Sequence, residues 1–177
     1  MLNVSTSLRQ ARKVRLVETS LQRVARMLSQ QYGVRVEWSS QGKCYTNGKV
    51  IVLPALPDNA PDALLEAIQG YLDHETAHVL FTDFENKKAK TLTPEEFSCV
   101  NAVEDIRIER KLATLFPGVP YNLRKAHDWM VLRFEKHWDK LNQFTKAICG
   151  FISYAGYGET EFWQDVVDQK TKDIVLE

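Results

Sequence analysis

Apolar positions in the first thirty residues recur at three- and four-residue intervals: Val14, Val17, Leu21, Val24 and Leu28, with Arg and Gln between them. That period is one face of a helix, and it predicts an N-terminal helix over residues 1–31. Gly33 breaks it, and the period drops to two. Val34, Val36 and Trp38 alternate with Arg35 and Glu37, the pattern of a half-buried strand. Two further short runs flank Asn47-Gly48, the dipeptide that most readily forms a tight hairpin turn, and Pro54 and Pro57 end the second. The expectation over residues 34–53 is a small antiparallel sheet. Helical spacing returns after Pro61 and runs through Leu64, Leu65, Ile68, Tyr71, Leu72, His74 and His78 to about Phe81. Thr93 and Glu96 have the spacing of a capping box, opening another helix that Pro117-Gly118 closes near Leu115. One or two aromatic-rich helices from Leu123 to Tyr154 and a short acidic helix from Glu159, carrying Phe162 and Trp163, complete the chain. The fold class expected is α+β, helices dominant, in one domain: N-terminal helix 1–31, sheet 34–53, helices 60–116, helical C-terminal part 123–177.

Composition removes several function classes. Twenty-three Lys and Arg balance 23 Asp and Glu, so the surplus of cations that phosphate binding needs is missing, which argues against nucleic acid. No apolar run reaches the roughly 18 residues of a membrane span, and the first residues lack the apolar stretch of a secretory signal. Cys44, Cys99 and Cys149 are odd in number and form no CxxC, reading as reduced, buried thiols of a cytoplasmic protein. Between Arg9 and Arg26 six basic residues face a lone Glu18. This is a solvated helix face or a surface for a protein partner, the former the simpler reading.

The chemistry lies in His74-Glu75-Thr76-Ala77-His78, an HExxH inside a strongly periodic helix. Imidazoles four residues apart project from one helix face and can share a tetrahedral Zn²⁺, while the glutamate between them reaches a water activated by the metal. In the helix from Pro94, Phe97, Val100, Ile108 and Leu115 share a face at 100° per residue, and Glu104 lies within about 40° of all four. A carboxylate central to an apolar face is costly unless it is paired or binds metal, so Glu104 is the expected third ligand. Asp105, rotated about 100° from it, is expected to hydrogen-bond an imidazole from outside the metal, and Asn101 to fix the Glu104 carboxylate. The longer pattern HExxHxxGxxH is excluded, because Phe81 and Phe84 stand where it needs Gly and His. Candidates for stabilising an oxyanion are His127, Tyr121, Tyr154 and Tyr157.

An HExxH helix followed by a helix that supplies a glutamate resembles the gluzincin branch of the zincin metallopeptidases. More narrowly, Gly70 to Phe84 with Asn101 to Glu109, preceded by Asn47 to Pro54, is similar to the peptidase-like part of cobaltochelatase CobT-like proteins of phages and bacteria. The resemblance spans about residues 45–115. It implies a zincin-like fold, Zn²⁺ held by His74, His78 and Glu104, and Glu75 as general base. It also implies a peptide or protein substrate added along a sheet edge, and a cytoplasmic location (the host cytoplasm for a phage protein). The rival expectation is a catalytically silent interaction module whose metal is structural.

Overall fold

The computed structural model describes residues 4–158, and the helix expected from Glu159 lies outside them. Five α-helices and three short strands follow in the order α1 (Val4–Tyr32), β1 (Arg35–Ser39), β2 (Tyr45–Thr46), β3 (Val50–Pro54), α2 (Asp62–Phe81), α3 (Pro94–Leu115), α4 (Val119–Glu135) and α5 (Gln143–Tyr157). The class is α+β, mostly helical. No described helix is long and apolar enough to cross a membrane.

The sheet is mixed rather than antiparallel. Its order is β1-β3-β2, with β2 antiparallel to β3 across the Asn47-Gly48 turn and β1 parallel to β3, Val36 opposite Ile51. Alternation identifies a strand but carries no direction, and the chain reverses at Gly42 before β2, so β1 and β3 run the same way. Gly48 takes φ +83° at the turn, and a Cβ there would meet the Phe84 ring at 2.8 Å, so the hairpin tip rests on the loop after α2. The central strand β3 is covered on both faces, with Ile51 and Leu53 fully buried and Val52 nearly so.

α2 belongs to two cores. Its first half (Leu65, Ile68, Leu72) packs with the α1 stripe Val14, Leu21 and Leu28 and with Ile51 and Leu53. Its second half, from Ala77, packs with Ile108 and Leu112 of α3 and Val119 and Leu123 of α4. The helix is pinned at two places. At the start, Lys13 and Gln10 of α1 reach Asp62 at 2.7 and 2.9 Å. Halfway along, Gly70 lets α4 approach so closely that an added Cβ would lie 2.1 Å from the Asn122 carbonyl oxygen. α3 begins with the expected capping box, the Thr93 N–H donating to Glu96 at 2.8 Å and the Glu96 N–H to Thr93 Oγ1 at 3.3 Å. Of the thiols, Cys149 is buried as expected, whereas Cys44 is half-buried and Cys99 exposed.

Candidate metal centre

His74 and His78 lie one turn apart on α2, with their rings edge to face and centroids 4.8 Å apart. They meet α3 where it presents Asp105. The coordinating atoms of His74, His78 and Asp105 fall within 4.8 Å of one another. His78 Nε2 is 3.0 Å and His74 Nε2 3.9 Å from the same oxygen, Asp105 Oδ1. Ligand atoms on a tetrahedral ion at about 2.0–2.1 Å sit about 3.3 Å apart, a value these two distances bracket.

The surrounding hydrogen bonds fix which nitrogen faces inward. The Thr82 hydroxyl donates to Glu104 Oε1 at 2.7 Å, so toward His78 Nδ1, 3.0 Å away, its oxygen can only accept. His78 therefore carries its proton on Nδ1. On His74, Nδ1 lies 2.8 Å from Glu109 Oε1, an acceptor, so its proton is on Nδ1 too. Both Nε2 atoms are left on the side of Asp105. Asn101 holds Asp105 Oδ2 at 2.9 Å, while Oδ1 is buried and receives no hydrogen bond. Two imidazole nitrogens and a buried carboxylate oxygen gathered this closely are the atoms a divalent cation would bind in place of protons. The donor set fits a divalent metal.

The acidic groups around the site favour positive charge there. Burial disfavours the charged form of His74, yet the hydrogen bond to Glu109 and the Asp105 and Glu109 carboxylates outweigh it and push its pKa up to about 9. Glu75 is 5% exposed, and burial raises its carboxyl against the pull of His74. Its Oε1 accepts the Cys44 Sγ–H at 3.2 Å, and burial together with Glu75 drives that thiol upward.

It is Asp105, not the expected Glu104, that the structure brings together with the two imidazoles. Glu104 is bound to Arg107 through Nε at 2.6 Å and Nη2 at 2.7 Å, and to Thr82. Arg107 is its first cause of a lowered pKa. It backs His78 through Thr82 and does not join the three donors. The buried face of α3 is centred on Asp105 and Glu109 and carries Ala102, Ile106, Ile108 and Leu112, whereas Phe97, Val100 and Leu115 are half exposed. The apolar stripe that seemed to be core is partly the wall of a cleft. Asn101 likewise fixes Asp105 rather than Glu104. Glu109 went unnoticed in the sequence, although it lies four residues after Asp105 on the same face.

The cleft is open, about 1120 Å³, and lined among others by His74, Glu75, His78, Phe97, Val100 and the β2 edge residues Tyr45 and Thr46. None of the four expected oxyanion donors lines it. Tyr121 is 63% exposed on α4 beneath Lys125. Tyr154 lies on α5 and accepts the capping N–H of Gly158 through its carbonyl. His127 is buried against Ser153 Oγ at 3.0 Å, and the Tyr157 hydroxyl donates to Glu109 Oε2 at 3.1 Å, on the Nδ1 side of His74.

Compared with known proteins, residues 15–146 match the sequence model of the family described as cobalamin biosynthesis protein CobT, most of the chain's length. No curated protein matches significantly, and no solved structure does.

Proposed function

The chain belongs to the family of cobalamin biosynthesis protein CobT, and within it we propose that this centre makes the protein a zincin-like, zinc-dependent hydrolase of peptide bonds. His74, His78 and Asp105 would hold the ion, a His₂-carboxylate set suited to zinc. When bound, Zn²⁺ supplies Lewis acidity toward a water and the substrate carbonyl. The protein's own part follows from the positions of its groups. Glu75 takes the proton of the attacking water on a carboxylate whose pKa burial has raised, and returns it to the leaving amine. Glu109 and Thr82 keep the imidazoles in the tautomer that presents Nε2. Substrate backbone adds along the exposed β2 edge, with apolar side chains against Phe97 and Val100.

The observation that carries the proposal is the buried Asp105 Oδ1 within 3.0 and 3.9 Å of the Nε2 atoms of His78 and His74, with both histidines and Glu75 lining an open cleft. The test is zinc content and turnover of a peptide library by wild type and Glu75→Gln. Retained zinc with turnover lost in the variant supports the reading; equal turnover removes Glu75 from it, and zinc without any wild-type turnover removes peptide hydrolysis. The family description favours one other reading, in which the same three residues hold a divalent metal as cargo during cobalamin biosynthesis. That reading expects rapid metal exchange and no turnover, whereas a structural ion in an interaction module would exchange slowly.

A further inference from the structure

We propose that Tyr157 is a positioning residue of the metal centre, fixing His74 through Glu109 and so setting the affinity for a divalent cation. The inference rests on reading the centre as a metal site.

Glu109 spends one oxygen on each neighbour: Oε1 faces His74 Nδ1 at 2.8 Å, and Oε2 accepts the Tyr157 hydroxyl at 3.1 Å. The carboxylate has little contact with water, its side chain being 15% exposed. A carboxylate at the end of a flexible side chain holds an imaginary line to one imidazole poorly when only that imidazole restrains it. The phenol supplies the second restraint.

The phenol is itself held on several sides. Its ring stacks on His127 at 4.0 Å between centroids and 27° between planes. The Arg124 guanidinium lies 5.0 Å from the ring centroid, and its Nη2 donates to the Tyr157 carbonyl at 2.8 Å. His127 in turn meets Ser153 Oγ at 3.0 Å, one turn earlier on α5, and both are almost completely buried. Burying a polar pair between α4 and α5 carries a desolvation cost. Here the pair fixes the ring from which a hydroxyl reaches Glu109. Groups outside the ligand shell orient the ligands, and their loss typically costs about 10–100-fold in metal affinity. Tyr157 is one bond further out than Glu109, so the low end of that range applies.

The experiment is Zn²⁺ affinity of the purified full chain, by chelator competition, for wild type, Tyr157→Phe, Glu109→Gln and the double variant, with melting of each metal-free protein alongside. The expected result is about tenfold weaker binding for Tyr157→Phe and at least as much for Glu109→Gln, with the double variant no weaker than Glu109→Gln alone. A residue that only packs would lower the melting temperature and leave zinc affinity alone. Affinity within twofold of wild type for Tyr157→Phe while Glu109→Gln binds weakly overturns this proposal only, as do additive losses or a Tyr157→Phe chain that does not fold. A wild type that binds no zinc overturns the metal reading and this proposal together.

Discussion

Replacing Gly70 by alanine tests the packing of the helix that carries both imidazoles. On an isolated helix the change stabilises by about 1 kcal/mol, because glycine is a poor helix former. Here the new Cβ would stand 2.1 Å from the Asn122 carbonyl oxygen and 2.7 Å from both the Asn122 carbonyl carbon and the Ala126 Cβ. Comfortable carbon contacts lie at about 3.5–4.0 Å, so α2 and α4 must part by roughly an ångström. The obstacle is backbone, which has no rotamer to change, and Asn122 is further tied by its side chain to Asp73 at 2.8 Å. Overpacking of this kind costs about 1–3 kcal/mol, and a backbone clash belongs at the upper end. Setting about 3 kcal/mol against the propensity gain leaves a net loss of about 2 kcal/mol. At about 2–4 °C per kcal/mol for a chain of this size, the melting temperature falls by about 4–8 °C. The assay is thermal unfolding of metal-free protein followed by circular dichroism. Gly118→Ala serves as control, since Gly118 has φ −80° and nothing within 4 Å of an added Cβ. A Gly70→Ala protein melting at or above wild type would refute the close approach of the two helices.

Two other outcomes concern the metal. Asp105→Asn should weaken zinc binding by more than the roughly 100-fold that losing an outer partner costs, and Glu104→Gln by about tenfold or less; titration of both ranks them, and the reverse order would restore Glu104 as the ligand. Zinc at about a thousand times its dissociation constant should stabilise the fold by about 4 kcal/mol, raising the melting temperature by about 8–16 °C over chelator-treated protein, and a melting temperature indifferent to zinc contradicts the site.

Much of this arrangement is legible in the sequence. The stripe Val14, Leu21, Leu28 is buried as its spacing requires, α3 opens at the Thr93–Glu96 box, and Asn47-Gly48 turns between β2 and β3. The HExxH falls where two imidazoles meet on α2. What the spacing does not yield is the phase of α3. Phe97, Val100 and Leu115 are apolar for a reason other than core burial, two of them lining the cleft, and they outweigh the small Ala102 that marks the truly buried side. Hydrophobicity cannot separate a core face from a cleft wall, and one residue of phase error exchanges Glu104 for Asp105. The parallel pairing of β1 with β3 is hidden for a similar reason, since alternation is the same in either direction.

The same helix phase explains why the acidic residues crowd together. Glu104, Asp105 and Glu109 of α3 and Glu75 of α2 all lie within a turn or two of the paired imidazoles, and Arg107 is spent on Glu104. Each of these carboxylates has a donor: Asn101 for Asp105, Arg107 for Glu104, Tyr157 for Glu109 and Cys44 for Glu75. Glu109 and Thr82 meet the imidazoles on the outer side, and on the inner side Asp105 Oδ1 lies 3.0 and 3.9 Å from the Nε2 atoms of His78 and His74. Hydrogen bonding that fixes the outside of two histidines and turns both Nε2 atoms toward one carboxylate oxygen favours positive charge between α2 and α3. An uncharged, solvent-filled notch would gain nothing from it.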